Sequence, residues 1–195
     1  MVLKNPSDYE KDRTIVFFVR HGDREHKEGK PGIGFEHPGP GLSMKGKKQA
    51  KEVAKEFAKI KDEIDEIYVS TMSRAIETAE EISSKINKKA RKVHELCEFN
   101  QILWKRVFWK RSFWKHFKKY KQASRAFDKI LEKNKKKVIV VVCHGNVIKG
   151  LVGNKLGLSL KQIGAFDYHN CHITRVRFKG KKLSYINYFN SKGLV

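Results

Sequence analysis

The stretch Thr14–Arg24, TIVFFVRHGDR, decides how the chain folds. Its first part, Thr14–Val19, is a continuous apolar run rich in β-branched and aromatic residues. Such a run predicts a strand that is buried on both faces, as in a parallel sheet. The run ends in a charged cluster, Arg20–Arg24, which contains a histidine and a glycine. Because ligands of open parallel sheets bind beyond the carboxyl ends of the strands, we expect an anion site there with His21 as its nucleophile.

Length and composition limit the class of protein. The chain has 195 residues, which suits one domain, and its hydrophobic content of 39% falls in discrete runs that indicate a folded protein. Lysine and arginine number 43 against 21 acidic residues, so the net charge is +22. This excess predicts a polyanionic partner, such as nucleic acid, an anionic membrane or a phosphorylated substrate. A surface charged for solubility explains it equally well.

Cysteine usage and the absence of long apolar runs bear on location. The three cysteines, Cys97, Cys143 and Cys171, do not make a disulfide framework and fit a reducing compartment. The first residues lack an apolar run of signal-peptide length, and no segment approaches the roughly 20 apolar residues that span a bilayer. We therefore expect a cytoplasmic protein without a transmembrane segment. Nothing in the sequence indicates its oligomeric state.

Strands and helices alternate along the chain. Ser43 is a candidate N-cap for a first helix, and apolar spacing predicts further helices at Met72–Ile86, at Val147–Leu156 and around Phe127. Further strands are predicted at residues 64–70, 92–96, 138–143, 172–178 and 183–189, with 138–143 central in the sheet and the last two forming an antiparallel edge hairpin. This alternation predicts a single α/β domain over residues 1–195. It would be a three-layer sandwich with a mostly parallel central sheet flanked by helices.

Two connecting segments have unusual compositions. Gly29–Gly41 is dense in glycine and proline, which predicts a long loop at the rim of the anion site. Trp104–Tyr120 contains no acidic residue and repeats aromatic and basic side chains about every five residues. One interpretation makes residues 100–125 a cap over the site. The other makes residues 104–121 a surface that contacts anionic lipid or nucleic acid.

Three of the predicted strands end in residues suited to phosphate. The first runs into Arg20-His21-Gly22, and the strand at 138–143 runs into His144-Gly145. The strand at 64–70 delivers Arg74 at the start of a helix. Free backbone amides at helix N-termini and the planar fork of arginine both favour phosphate oxygens. We expect these three strand ends to form one site.

The motifs together resemble the histidine phosphatase superfamily, also called phosphoglycerate mutase-like. The matching segments are Arg20-His21-Gly22, Leu42-Ser43-x-x-Gly46-x-x-Gln49-Ala50, Ser70-Thr71-Met72-Ser73-Arg74-Ala75-x-x-Thr78-Ala79, Leu96-Cys97-Glu98 and His144-Gly145. They extend from about residue 14 to about residue 152. The later segment Asn170-Cys171-x-x-Thr174 resembles the last core strand of the family.

The resemblance implies a role for each site residue. His21 would attack phosphorus and form a phosphohistidine that water later hydrolyses. Arg20, Arg74 and His144 would hold the phosphoryl oxygens, and Glu98 fits the position of the acid that protonates the leaving group. The family needs no metal or cofactor for this chemistry. Other candidates for the acid are Glu95, Asp23, Glu25 and Glu36.

Two departures from the mutase pattern favour hydrolysis. Arg24 makes an RHG-x-Arg pattern that looks more like the acid-phosphatase and protein-phosphatase-like branches, where this arginine joins the phosphate pocket; the alternative is a solvated loop charge. The chain is also short, and Glu98–Gln101 stands where cofactor-dependent mutases carry Glu-Arg-x-Tyr-Gly. We therefore expect a metal-independent phosphatase acting on phosphate monoesters in small molecules or phosphoproteins. The alternatives are phosphoglycerate mutase-type transfer and a non-enzymatic polyanion-binding protein on the same fold.

The remaining histidines are not expected to bind metal. His169-Asn170-Cys171-His172 offers ligand types, but on an alternating strand these side chains would point to opposite faces, and no second cluster completes a tetrahedral set. Four further histidines are expected to be ordinary, with the first two near the rim: His26, His37, His94 and His116.

Overall fold

The computed structural model describes residues 12–25, 37–100 and 111–194. The strands in this part of the chain are β1 Thr14–Arg20, β2 Glu66–Ser70, β3 Ala90–Val93, β4 Val138–Cys143, β5 Ile173–Lys179 and β6 Lys182–Ser191. The helices are α1 Met44–Ala58, α2 Ser73–Ile86, α3 Arg111–Lys133, α4 Gly145–Lys155 and α5 Leu160–Gly164, with a 3₁₀ helix at His94–Leu96. The predicted loop Gly29–Gly41 lies mostly outside the described residues.

The strands form one six-stranded sheet in the order β3-β2-β4-β1-β5-β6. The pairs β1–β4, β2–β4 and β2–β3 are parallel, whereas β5 is antiparallel to β1, and β6 is antiparallel to β5. The predicted central position of β4 and the predicted edge hairpin are therefore confirmed. Because four strands run in the same direction, their carboxyl ends meet at one edge, and this edge carries the candidate site.

Helices cover both faces of the sheet, as predicted. Alternate residues of β1 point to opposite sides. Phe18 packs on Phe127 of α3 with ring centroids 5.2 Å apart, whereas Phe17 packs edge-to-face on Phe57 of α1 at 5.7 Å. Each face has its own buried cluster of apolar side chains. The α/β three-layer sandwich is therefore confirmed.

Two local predictions need correction. The strand predicted at residues 92–96 is instead β3 followed by the 3₁₀ helix, in which the Cys97 amide donates to the His94 carbonyl at 3.0 Å. Leu96, in this turn, is fully buried. The helix predicted around Phe127 is confirmed, as part of the 23-residue α3. The strand predicted from residue 172 begins at Ile173, after a turn.

None of the helices in the described part of the chain is both long and apolar enough to cross a lipid bilayer.

Candidate active site

His21 follows β1 directly and is buried, with 4% of its surface exposed. Its Nδ1 lies 2.6 Å from the Gly22 carbonyl oxygen, which can only accept a hydrogen bond, so Nδ1 carries the proton. The lone pair therefore sits on Nε2, which accepts a hydrogen bond from Arg74 Nε at 3.1 Å. Burial and the nearby Arg74 hold the pKa of His21 well below its ordinary value. The imidazole is thus neutral near pH 7 and presents Nε2 as a nucleophile.

Two glycines allow the loop after His21 to lie against the start of α1. A Cβ on Gly22 would stand 2.6 Å from the Gly46 carbonyl oxygen, and a Cβ on Gly46 would stand 1.9 Å from the Asp23 carbonyl oxygen. Neither position has room for a side chain, because the obstacle in each case is backbone. This close approach explains why both predicted motifs, Arg20-His21-Gly22 and Ser43-x-x-Gly46, contain glycine at these places.

Polar side chains of α1 hold the same loop. Ser43 is the predicted N-cap, and its hydroxyl accepts from the Gly46 amide at 3.1 Å and donates to Asp23 Oδ2 at 2.7 Å. The side-chain oxygen of Gln49 accepts from the Asp23 amide at 2.8 Å. The carboxylate of Asp23 therefore accepts a hydrogen bond from the N-cap residue, which argues against its alternative role as the acid.

Arg74 and Arg20 provide positive charge around His21. Arg74 is 2% exposed in the first turn of α2, and although burial lowers its pKa to about 10, it stays charged at neutral pH. Arg20 ends β1 and donates to the Tyr168 carbonyl, while its buried Nε has no hydrogen-bond partner among the described residues. A hypothetical Cβ on Gly145 would lie 3.6 Å from this Nε, so the guanidinium lies against the start of α4.

His144 comes from the neighbouring strand β4, as predicted. It is fully buried, and its ring centroid lies 5.0 Å from that of His21. Its Nε2 is 2.8 Å from the Ser70 hydroxyl at the end of β2, whereas its buried Nδ1 has no hydrogen-bond partner within the described residues. Burial, with His21 and Arg74 nearby, holds the pKa of His144 well below its ordinary value. When Ser70 donates to Nε2, the Nδ1 proton is available to a phosphoryl oxygen.

Glu98 is the acidic residue that the structure buries beside these groups. It is 8% exposed, and burial raises its pKa from 4.5 to about 7, although Arg74 and Arg20 act in the opposite direction. The Phe99 amide donates to its Oε1 at 3.2 Å. A carboxyl group that titrates near pH 7 can give up a proton and take it back, as general acid–base catalysis requires.

The other candidates for the acid are less suitable or are not described. Glu95 and Glu25 are exposed, and Glu36 lies outside the described residues. Arg24 is half-buried, forms an isolated backbone bridge with Leu42, and lies near enough to lower the pKa values of His21 and Arg74. Its predicted place beside the phosphate pocket agrees with these electrostatic effects.

Comparison with known protein families gives a match over most of the chain. The sequence profile of the histidine phosphatase superfamily (branch 1) matches residues 16–118 and 115–191. The chain belongs to the histidine phosphatase superfamily. No curated protein sequence gives a significant match.

Solved structures of other proteins share the superfamily fold. The phosphoserine phosphatase of Entamoeba histolytica is 23% identical, with a TM-score of 0.67 over 91% of this chain and 97% of its own. A mycobacterial glucosyl-3-phosphoglycerate phosphatase is 17% identical, with a TM-score of 0.72 over 92% and 99%. The α-ribazole phosphatase of Shigella flexneri is 17% identical, with a TM-score of 0.75 over 93% and 98%. At these identities the likeness shows the fold alone.

Three polar residues support the site but have no role predicted from the sequence. Asn170 Nδ2 donates to the His21 carbonyl at 2.9 Å, and Asn146 Nδ2 donates to the Phe99 carbonyl at 3.0 Å. Lys149 is half-buried near Glu98, and burial lowers its pKa. The only sequence signal for Asn146 and Asn170 is their position in or beside the superfamily motifs. Lys149 lies one helical turn beyond His144-Gly145, and only the folded structure shows that it lies near Glu98.

The predicted cap segment is described from Arg111 onward, because residues 101–110 lie outside the described part. The helix α3 buries Phe113 and Tyr120, and Tyr120 packs edge-to-face on Phe99, the neighbour of Glu98, at 6.1 Å. The Asn100 amide donates to His116 Nδ1 at 3.3 Å. The first half of α3 thus packs on the segment that carries Glu98. Whether it covers the site as a cap remains a prediction.

The prediction that the side chains of His169–His172 point to opposite faces of an alternating strand was wrong. Asn170 and Cys171 form a turn, with Cys171 at a φ of 56°, so this stretch does not alternate as a strand. The imidazole rings of His169 and His172 consequently lie edge-to-face with centroids 4.9 Å apart. Cys171 is buried, and the predicted absence of a metal site at this turn stays a prediction.

Proposed function

We propose that this protein is a phosphatase that hydrolyses phosphate monoesters through a phosphohistidine on His21. The observation that carries the proposal is the arrangement of two groups in one buried cluster. A neutral histidine has its Nε2 lone pair beside a buried arginine, and a carboxyl group with a pKa of about 7 interacts with the same arginine. The first group suits nucleophilic attack, and the second suits proton transfer.

In the first step, His21 Nε2 forms a bond to phosphorus while the bond from phosphorus to the ester oxygen breaks. Protonated Glu98 gives its proton to that oxygen, which leaves as an alcohol. Arg74 turns its guanidinium from Nε2 to the phosphoryl oxygens, where Arg20 and Arg24 add charge and His144 Nδ1 donates a hydrogen bond. These fixed donors stabilise the charge that develops in the transition state.

In the second step, the Glu98 carboxylate takes a proton from a water molecule as its oxygen attacks phosphorus. The bond from phosphorus to Nε2 breaks, the lone pair returns to His21, and Glu98 is again protonated when inorganic phosphate leaves. No metal ion takes part in either step, because histidine supplies the nucleophile and arginine supplies the charge. The net charge of +22 attracts dianionic substrates, whether phosphorylated metabolites or phosphoproteins.

The test is hydrolysis of p-nitrophenyl phosphate in the presence of EDTA by the wild type and by His21→Ala. We expect turnover that EDTA does not affect and that His21→Ala abolishes. A screen over phosphorylated metabolites and phosphopeptides would then identify the substrate class. Exchange of the phosphoryl group between the positions of phosphoglycerate, without net release of phosphate, would favour the mutase alternative.

The exposed face of α3 favours a second, binding function. Basic side chains recur there at helical spacing, and Trp114 is 59% exposed among them. The exposed basic residues on α3 include Arg111, Lys115, Lys118, Lys121 and Arg125. We propose that this face binds an anionic lipid surface, because a tryptophan beside lysines suits the interface between headgroups and acyl chains.

Co-sedimentation with phosphatidylserine-containing vesicles tests this binding function. Binding should weaken steeply with salt and fall at least tenfold in a Trp114→Ala/Lys118→Glu variant, with phosphatase activity retained. Equal binding by the variant, or binding to RNA but not to vesicles, would contradict it.

A further inference from the structure

Three side chains of metal-ligand type converge outside the phosphate-binding cluster. They are His37, His94 and Cys97, and their ligand atoms all lie within 4.8 Å of one another. The hydroxyl of Thr71 stands between them. Its Oγ1 is 2.9 Å from His37 Nε2, 3.1 Å from His94 Nδ1 and 3.2 Å from Cys97 Sγ.

The sheet and the 3₁₀ helix bring two of these ligands together. Parallel pairing of β2 and β3 sets Ser70 beside Val93, so Thr71 and His94 leave the sheet at the same edge. The 3₁₀ helix then has about three residues per turn, which places His94 and Cys97 on the same side. As a result, His94 Nδ1 lies 3.9 Å from Cys97 Sγ.

The third ligand comes from a segment that is distant in sequence. The carbonyl oxygen of Pro38 accepts from the Ser73 amide at 2.9 Å, which ties the residues around His37 to the start of α2. The imidazole rings of His37 and His94 lie with centroids 5.2 Å apart. Three segments therefore assemble the cluster: the end of β2, the 3₁₀ helix after β3, and the residues around His37 that contact the start of α2.

We propose that His37, His94 and Cys97 bind one divalent transition-metal ion of the zinc type. Two imidazole nitrogens and one thiolate suit this ion, and three protein ligands with an open fourth position are a common zinc arrangement. Bond lengths of about 2.0 Å to nitrogen and 2.3 Å to sulfur place tetrahedral ligand atoms about 3.3–3.7 Å apart.

The cluster needs little movement to reach this geometry. The pair His94–Cys97 is already near the required separation, and no gap needs to shrink by more than about 1.5 Å. His37 and His94 are exposed, so their rings can turn without disturbing the core, while Cys97 is held in place by burial. Thr71 Oγ1 can donate one hydrogen bond and accept two, so it can bridge all three side chains. A bound cation would replace these contacts, with the Thr71 hydroxyl turned aside.

The ion does not belong to the reaction proposed above, because none of its ligands is a residue that handles the phosphoryl group. The site lies beside the reaction centre, since the Ser70 hydroxyl is 3.6 Å from Cys97 Sγ and 2.8 Å from His144 Nε2. The inference is therefore independent of the proposed function and is tested by spectroscopy rather than by turnover.

The experiment is a titration of the reduced, full-length protein with Co²⁺, followed by competition with Zn²⁺. We expect one equivalent of Co²⁺ to produce a thiolate-to-cobalt charge-transfer band in the near ultraviolet and to release protons, because the bound cysteine must be deprotonated. Zn²⁺ should abolish the band. Cys97→Ser should lack the band, and His37→Ala and His94→Ala should bind at least tenfold more weakly.

His169→Ala is the matched control, because it removes an exposed histidine from a close pair that lies outside both the cluster and the phosphate-binding residues. It should bind Co²⁺ as the wild type does. The absence of a charge-transfer band in the wild type would overturn the proposal. So would equal affinity in the wild type and in the two histidine variants, whose exposed positions leave the fold intact.

Discussion

Replacing Glu98 with glutamine should make the protein more stable at alkaline pH and less active. The unfolded chain releases the Glu98 proton near pH 4.5, whereas the folded protein retains it up to about pH 7. Between these values the folded state binds more protons, so rising pH lowers its free energy of unfolding. One pKa unit corresponds to about 1.4 kcal/mol, so the loss reaches about 3 kcal/mol above pH 7. Glutamine at position 98 remains neutral at every pH, so the variant avoids this loss of stability.

The assay is urea unfolding of the wild type and of Glu98→Gln at pH 5 and at pH 8. The stability difference should shift in favour of the variant by about 2 kcal/mol between the two pH values. The buried histidines titrate in both proteins, so their contribution cancels in the comparison. The exposed Glu95→Gln is the matched control and should follow the wild type. A stability difference that does not change with pH would refute the argument.

The same variant tests proton transfer to the leaving group. A general acid contributes about 10²–10⁴-fold to the rate, and less when the leaving group is already stable as an anion. Glu98→Gln should therefore lose far more activity on an alkyl phosphate than on p-nitrophenyl phosphate. Equal losses on the two substrates would show that Glu98 does not protonate the ester oxygen.

Three further substitutions test separate parts of the account. Gly46→Ala puts a Cβ 1.9 Å from a backbone carbonyl oxygen and should cost about 3 kcal/mol in urea unfolding, whereas Gly145→Ala, whose nearest neighbour is at 3.6 Å, should cost much less. Arg74→Lys loses the planar fork, so kcat/KM should fall about 10²-fold or more with p-nitrophenyl phosphate. Arg24→Ala should raise KM about tenfold if this side chain contacts phosphate, while Arg91→Ala, an exposed arginine far from the site motifs, should leave KM unchanged.

The sequence predicts well what depends on local pattern. The strand Val138–Cys143 has the predicted bounds. Its six consecutive apolar residues, mostly β-branched, are typical of a strand that is buried on both faces of a parallel sheet. Ser43 caps its helix as its position before an amphipathic run indicates. The strand ends that carry His21 and His144 are predictable for the same reason, since each follows such a run directly.

Contacts between distant segments could not be predicted in this way. The local pattern of residues 92–96 predicts a strand. The 3₁₀ helix that forms there instead buries Leu96 in the core, and this burial depends on contacts between distant segments that a local pattern does not show. His37 lies almost sixty residues from His94, and its place beside His94 depends on the contact of Pro38 with Ser73, which no local pattern shows. The raised pKa of Glu98 depends on burial, which distinguishes it from Glu95 only in the folded structure.

The central claim is that His21 Nε2 becomes phosphorylated during turnover. The most direct measurement is rapid quenching into base with a ³²P-labelled substrate, followed by peptide mass spectrometry, because phosphohistidine survives base and is lost in acid. The account predicts a labelled peptide that contains His21, with phosphorus on Nε2, and its absence in His21→Ala. Label on another residue, or steady turnover by His21→Ala, would contradict it.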